Sequence, residues 1–244
     1  MTGPDPGPDP GPDPGPDPGP DPVVAAFDFD GTLTDGGSVF RFLVALRGRR
    51  AVVLATLALL PRLARAALLG GSHADTGKEA LFTRVLAGLD AGKAEQAAES
   101  FGRRHYRQHA RPEIRRRLEW HRDQGHRLVI VSASPELYLR AVAADLDVGT
   151  VVATRLAVDD RGRLTGGYEG RNCRGAEKIG RVRAVMDEET RPGGSGPLLW
   201  AYGNSAGDRQ LLAGADVGVD VGRLGRFGKL RGFPRLGEVP GPTA

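Results

Sequence analysis

Two carboxylates separated by one residue follow the first apolar run of the chain. Asp28 and Asp30 come directly after residues 23–27, which read as a buried strand. At a strand end the chain bends, so both carboxylates can reach one cleft. Carboxylates placed in this way can attack a substrate or exchange protons with it. The alternative is that Asp30-Gly31 only forms a turn and that Asp28 is an incidental carboxylate.

Three further polar residues stand at the ends of apolar runs or at the starts of helical patterns. Ser132 follows an apolar run, Lys178 lies near the start of a predicted helix, and Asp208 follows a glycine-containing turn. Taken singly, each has an ordinary interpretation as a capping serine, a solvated lysine or a helix-start carboxylate. A cation near a helix N-terminus is disfavoured by the helix dipole, however, and an anionic site would explain Lys178.

The pattern of apolar runs predicts an α/β fold with a doubly wound parallel sheet. Strand patterns alternate with helical patterns, and ligands of such sheets bind at the carboxyl ends of the strands. The predicted strands are 23–27, 127–131, 150–153 and 197–202, and the predicted intervening helices are 136–144, 176–189 and 208–213. Residues 158–164 predict a hairpin.

Residues 36–126 interrupt this alternation with helical patterns alone. An insert after the first strand is expected to form a cap over the strand ends. The predicted domains are a Gly-Pro-Asp-Pro repeat tail (1–22), a core (23–35 and 127–220), the helical cap (36–126) and a basic irregular tail (221–244). The predicted cap helices are 38–47, 51–69, 76–89, 93–109 and 113–124.

The ordered set of motifs resembles the haloacid dehalogenase-like superfamily, in its phosphoserine-phosphatase-like branch. The resemblance covers about residues 23–220 and rests on FDFDGTLT at 27–34, VSASPE at 131–136, NCRG at 172–175, Glu177-Lys178 and YGNSAGD at 202–208. It implies an α/β core, a helical cap inserted after the first motif, and phosphoryl transfer through an aspartate.

The same resemblance implies a role for each candidate residue. Asp28 would be the nucleophile and Asp30 the general acid and base, while Ser132 and Lys178 would bind the phosphoryl group. Mg²⁺ would be held by a set drawn from the first and last motifs, namely Asp28, Asp30, Asn204 and Asp208. Asn204 stands where the family usually has an aspartate, which leaves weaker metal binding or a degenerate site open.

Elementary electrostatics supports these implied roles. Two unit charges about 4 Å apart repel by about 4 kcal/mol at an effective dielectric constant of 20. A divalent cation relieves that repulsion between carboxylates and a phosphate, and Mg²⁺ prefers oxygen ligands. A lysine supplies further positive charge to the phosphoryl oxygens.

Composition limits the partners. The net charge is +4, and without the five aspartates of the repeat the rest of the chain carries +9, which suits anionic ligands. No zinc-finger or aromatic-basic RNA motif is present, so we expect no nucleic-acid partner. One cysteine excludes an internal disulfide, and a cytoplasmic location is the default expectation. The apolar segment 51–69, preceded by arginines, leaves contact with a membrane surface as an alternative to a buried cap helix.

The sequence therefore predicts a Mg²⁺-dependent phosphomonoester hydrolase that acts on a small phosphorylated metabolite through an aspartyl-phosphate. The alternatives are a lipid-phosphate phosphatase at a membrane surface, phosphoryl transfer to an acceptor other than water, and a degenerate phosphate-binding protein.

Overall fold

A six-stranded sheet organises the molecule. The computed structural model describes residues 22–69, 71–190, 196–223 and 230–242, so the predicted repeat tail lies outside the described residues except for Pro22. The strands are β1 (Val23–Phe27), β2 (Arg127–Pro135), β3 (Thr150–Val158), β4 (Leu164–Glu169), β5 (Leu198–Gly203) and β6 (Val217–Asp220). Their order is β4-β3-β2-β1-β5-β6, and all neighbours are parallel except β3 and β4. The predicted α/β class is confirmed.

The central strand β1 is buried on both faces. Ala25 and Phe27 point into one apolar cluster, while Val24 and Ala26 point into a second cluster on the other face of the sheet. This double burial explains why β1 reads as a continuous apolar run and not as an alternation of apolar and polar residues. The C-terminal end of β1 is therefore the first place along this strand where a carboxylate finds polar partners.

Nine helices are described in the resolved ranges. They are α1 (Val39–Arg47), α2 (Arg49–Ala58), α3 (Leu60–Leu69), α4 (Gly71–Leu86), α5 (Ala91–His109), α6 (Pro112–Asp123), α7 (Glu136–Asp145), α8 (Ala176–Glu189) and α9 (Arg209–Ala213). The single helix predicted over 51–69 is divided at Leu59, because Pro61 cannot continue a helix and is tolerated only in its first turn. In the described ranges no helix is both long enough and apolar enough to span a bilayer.

The helices between β1 and β2 do not all pack in the same place. α5 packs along α7, and α4 lies against β4, where a Cβ on Gly166 would overlap the backbone of Thr83. α6 contacts β2 instead, and its His121 Nε2 lies 2.8 Å from the Tyr202 hydroxyl of β5. The predicted division at residue 126 stays a prediction, and we propose that the cap ends before α6.

The C-terminal segment, predicted to be an irregular surface tail, contacts the core where it is described. Leu230 is buried in the second apolar cluster, and the Asp220 amide donates to the Pro234 carbonyl at 2.9 Å. Arg117 of α6 donates to the Leu236 carbonyl at 3.0 Å. The segment is irregular, as predicted, but its described residues are held against the sheet and α6.

Candidate active site

Three residues predicted from separate motifs meet at the carboxyl end of the sheet. Asp28 follows β1, Lys178 lies in the first turn of α8, and Asp208 ends a short 3₁₀ turn after β5. Lys178 Nζ lies 2.6 Å from Asp28 Oδ1 and 2.5 Å from Asp208 Oδ1. One ammonium therefore bridges two carboxylates.

This cluster is shielded from water, and it carries one excess negative charge when both carboxylates are ionised. The exposed fractions are 5% for Asp28, 2% for Lys178 and 1% for Asp208. Burial and the charge of Asp208 raise the pKa of Asp28 to about 7, although Lys178 acts in the opposite direction. Burial alone would raise the pKa of Asp208 as well, but Lys178 and Ser205 outweigh it, and that pKa lies below its ordinary value. The two carboxylates outweigh the effect of burial on Lys178, and its pKa is raised.

Asp208 also shapes the turn that carries Asn204. Its Oδ2 accepts from the Asn204 and Ser205 amides at 3.2 and 2.9 Å and from Ser205 Oγ at 2.8 Å. Both of its oxygens thus have protein donors. The prediction that Asp208 ligates a metal stays a prediction, and its visible contacts position Lys178 and the turn.

Asn204 faces Asp28 across the start of the loop that follows β1. One terminal atom of its amide lies 3.2 Å from Asp28 Oδ2 and 3.0 Å from the Asp30 carbonyl oxygen. If that atom is nitrogen, it donates to both oxygens; if it is oxygen, three oxygens face one another and favour a cation between them. Gly31, with φ +81°, makes this approach feasible, since a Cβ there would overlap the amide.

The Asp30 carboxylate is held between the start of the insert and β2. Its Oδ1 accepts from the Ser38 amide at 2.7 Å, and its Oδ2 accepts from Ser134 Oγ. The Ser38 hydroxyl in turn lies 2.6 Å from the Tyr138 hydroxyl. The backbone carbonyl of Asp30 faces Asn204, while the negative charge of its carboxylate contributes to the raised pKa of Asp28.

Ser132 lies within β2 and is 1% exposed. Its Oγ accepts from the Ser134 amide at 3.1 Å, and a hydroxyl that accepts in this way keeps its own hydrogen to donate. Its predicted contact with a phosphoryl oxygen stays a prediction.

The sequence matches the model of the haloacid dehalogenase-like hydrolases over residues 25–213. The chain belongs to the haloacid dehalogenase-like hydrolase family. This match spans more than half of the chain and confirms the predicted family. Protein CicA of Caulobacter vibrioides (strain NA1000 / CB15N) is 35% identical over 194 residues, which cover 80% of this chain and 83% of that protein.

Several solved structures have the same fold. A protein of unknown function from Bordetella pertussis Tohama I aligns with a TM-score of 0.69 at 22% identity, over 82% of this chain and 90% of that one. The phosphoserine phosphatase of T. onnurineus aligns with 0.53 at 23% identity, over 89% and 92%. A phospho-aspartyl intermediate analogue of phosphoserine phosphatase aligns with 0.58 at 18% identity, over 82% and 87%. This chain therefore shares its fold with phosphoserine phosphatases.

Lys78, which the sequence analysis did not single out, reaches the candidate active site from the insert. Lys78 of α4 donates from Nζ to the Ala133 carbonyl, between the two serines of β2, and lies 3.4 Å from Asn172 Oδ1. Burial lowers the pKa of Lys78 to about 8, although Asp30 and Asp75 act in the opposite direction. In sequence, Lys78 is one lysine within a helical pattern, and no spacing relates it to the motifs.

Asn172 and Thr32 lie inside the recognised motifs, but no role was predicted for them. Thr32 Oγ1 donates to Asp28 Oδ2 at 3.2 Å, which fixes the second oxygen of that carboxylate. Asn172 accepts from Thr154 Oγ1 at 2.8 Å and donates to Asp75 of the insert at 2.6 Å. It thereby joins the core to α4 beside Lys78.

Proposed function

We propose that this protein is a Mg²⁺-dependent phosphomonoester hydrolase that forms an aspartyl-phosphate on Asp28. The observation that carries the proposal is the Asp28 carboxylate, which is held at the end of the central strand by Lys178 and Thr32. Membership of the hydrolase family supports it. Asp28 is thereby kept in one orientation within a buried site, as a nucleophile must be.

The side chains present can carry out both displacements. In the first, an Asp28 oxygen forms a bond to phosphorus while the bond to the leaving alkoxide breaks, and protonated Asp30 gives its proton to that alkoxide. In the second, Asp30 takes a proton from water as the water oxygen attacks phosphorus and the bond to Asp28 breaks. Lys178 and Ser132 supply donors to the phosphoryl oxygens as their charge is redistributed.

Three oxygens of the chain fit a magnesium ion. These are the Asp28 carboxylate, the Asp30 carbonyl and, in the orientation that presents its oxygen, the Asn204 amide, one terminal atom of which lies 3.2 Å from Asp28 Oδ2 and 3.0 Å from the Asp30 carbonyl. Mg²⁺ prefers hard oxygen ligands and retains several waters. In the described ranges no group of three or more His, Cys, Asp or Glu side chains is placed to hold a metal ion, which favours a set that a carbonyl and an amide complete. When bound, Mg²⁺ would offset the negative charge of the phosphate and Asp28.

A cavity that Asn172 and several charged residues line supports a small soluble substrate. It has a volume of about 540 Å³ and lies between α4 and the segment that leads into α8. Asp75 and Glu79 line one side, whereas Arg171 and Arg174 line the other. A leaving group that carries both polar and charged groups suits these walls better than an acyl chain does.

Release of inorganic phosphate from an aryl phosphate, followed by a panel of phosphorylated metabolites, tests the proposal. We expect turnover with Mg²⁺ and its loss when the metal is chelated. Protein that binds Mg²⁺ but releases no phosphate from any member of the panel would contradict hydrolysis.

Asn204→Asp should strengthen magnesium binding. A carboxylate adds Coulomb attraction, and we expect the half-saturating Mg²⁺ concentration to fall about tenfold, equivalent to about 1.4 kcal/mol. Without metal the new carboxylate faces Asp28 Oδ2 and the Asp30 carbonyl, so the metal-free variant should melt below the wild type.

Thermal melts with and without Mg²⁺, together with metal titrations of turnover, measure both effects. Asp208→Asn is the comparison variant, because it removes the last carboxylate of the motif and should weaken turnover. An unchanged metal titration in Asn204→Asp would show that Asn204 is not a ligand. Turnover found only in that variant would identify the native site as degenerate.

Lys78→Gln should weaken substrate use at neutral pH. The ammonium lies at the Ala133 carbonyl, next in the chain to Ser132, the predicted phosphoryl ligand, and losing one charged hydrogen bond should lower kcat/KM about tenfold. Lys78 loses its charge as the pH rises through about 8, so wild-type kcat/KM should fall above that pH.

The pH profile of the Lys78 variant separates this role from simple packing. The variant should lack the alkaline fall, while the exposed Lys93→Gln of α5 should keep the wild-type profile. Identical alkaline limbs in wild type and Lys78→Gln would rule out the assigned role.

A further inference from the structure

Large apolar side chains are exposed in one region of the insert. Among the described residues, eight large apolar side chains stand out as exposed, and six of them lie on α1, α2 and α3. These six are Phe40, Val53, Leu54, Leu57, Leu60 and Leu68, with exposed fractions from 39% to 85%. Single exposed apolar residues are ordinary on a protein surface, but a cluster of this size marks a contact surface.

The geometry of α2 shows that this exposure is organised. Val52 and Ala55 are buried against the rest of the insert. Arg50, Val53, Leu54 and Leu57 follow the spacing i, i+3, i+4 and i+7, and they therefore share the opposite, outward face. α2 thus has apolar side chains on two faces, of which the packing of the chain covers one.

The same region carries a strong positive charge. No acidic residue occurs between Asp35 and Asp75, whereas six arginines do: Arg41, Arg47, Arg49, Arg50, Arg62 and Arg65. All six are exposed. Exposed leucines flanked by arginines match an anionic bilayer, in which the apolar groups enter the acyl boundary and the arginines meet the headgroups.

A second copy of the chain is a poorer complement to this surface. An isologous dimer would place the same residues opposite one another, and six arginines without an acidic partner would then face a like-charged patch. Nucleic acid would pair with the arginines but would leave the leucines in water.

We propose that the outward face of α1–α3, here called the Arg–Leu face and centred on Arg49, Arg50, Val53, Leu54 and Leu57, docks the protein on anionic lipid bilayers. α3 packs against α4, which carries Lys78, so docking places the catalytic site within two helices of the lipid surface. This docking does not depend on the proposed phosphatase reaction, and it would place that reaction at a membrane surface.

Co-sedimentation of the full chain with lipid vesicles tests the proposal. We expect binding to phosphatidylcholine vesicles that contain phosphatidylglycerol, little binding to pure phosphatidylcholine, and weaker binding in high salt. Leu54→Ser/Leu57→Ser and Arg49→Gln/Arg50→Gln should each lower the partition coefficient about tenfold or more.

The chain offers matched control variants for both substitutions. Val158 and Leu198 are exposed apolar residues on strands of the core, and Arg161 and Arg183 are exposed arginines outside the insert. Val158→Ser/Leu198→Ser and Arg161→Gln/Arg183→Gln should bind vesicles like the wild type. Unchanged melting temperatures in all four variants establish that the fold is intact, whether or not phosphate release is observed.

Three results would overturn the proposal. The first is equal binding to neutral and anionic vesicles, or binding to neither. The second is an equal loss in the control variants. The third is a dimer that light scattering shows to dissociate in Leu54→Ser/Leu57→Ser without any vesicle binding, because a second copy would then cover the Arg–Leu face.

Discussion

Asp28→Asn should abolish phosphate release, with a loss of about 10⁴-fold or more in kcat. An amide does not attack phosphorus, and no other described carboxylate shares the position between Lys178 and Thr32. The measurement is phosphate release with saturating Mg²⁺. Asp35→Asn is the control, because Asp35 is an exposed partner of Arg223 and should retain wild-type turnover.

The same variant should keep its fold and even gain stability at alkaline pH. Burial and Asp208 raise the pKa of Asp28 to about 7, above its ordinary value of 3.8. Folding therefore favours the protonated form: its contribution to stability is complete below the ordinary pKa and is lost as the pH rises through about 7. An amide does not ionise, so metal-free Asp28→Asn should melt at or above the wild-type temperature at pH above 7, and the difference should shrink in acid.

Two outcomes would contradict this account. Phosphate release within a few-fold of the wild type would exclude an aspartyl-phosphate on Asp28. A marked fall of the melting temperature at alkaline pH would show that ionised Asp28 stabilises the fold and that the pKa shift has the opposite sign.

The meeting of Asp28, Lys178 and Asp208 could be predicted because it follows from topology. Apolar runs of strand length, separated by helical patterns, dictate a parallel sheet, and the carboxyl ends of parallel strands share one edge. Residues that follow those runs must then be neighbours, whatever the details of packing. The resemblance of the motifs supplied the expected roles.

The orientation of Asp30 could not be predicted in the same way. The spacing of Asp28 and Asp30 indicated two carboxylates in one cleft, but the positive φ of Gly31 turns the chain so that the Asp30 carbonyl faces Asn204. The carboxylate then accepts hydrogen bonds from Ser38, eight residues away, and from Ser134, 104 residues away. Only the backbone path decides which oxygen of a residue reaches a site.

The contacts between the insert and the core could not be predicted from the sequence either. Lys78 looks like any helical lysine until α4 is placed against β4, and that placement depends on the close approach at Gly166. The strand β6 has four residues with two glycine or aspartate positions, too short for a periodic signal. The segment around Leu230 is rich in glycine and arginine, and its burial comes from long-range packing.

Lys178→Met should damage both turnover and stability. It leaves Asp28 and Asp208 buried without their shared cation, and breaking a buried ion pair from one side typically costs about 3–5 kcal/mol. Urea unfolding of the metal-free protein at neutral pH measures the loss. The exposed Lys93→Met serves as the control and should leave both stability and turnover unchanged.

The pH dependence and a double variant show whether this loss comes from the ion cluster. The lowered pKa of Asp208 contributes stability that is present above its ordinary value and is lost as the pH falls through the lowered one. Without Lys178 that contribution disappears, so the difference in unfolding free energy between wild type and Lys178→Met should be widest at neutral pH and should narrow in acid.

The double variant Asp28→Asn/Lys178→Met should recover part of the lost stability, because it removes one of the two unpaired carboxylates. The two substitutions should therefore be non-additive. Additive effects, or a gap that does not change with pH, would mean that Lys178 stabilises the fold through its packing and not through its charge.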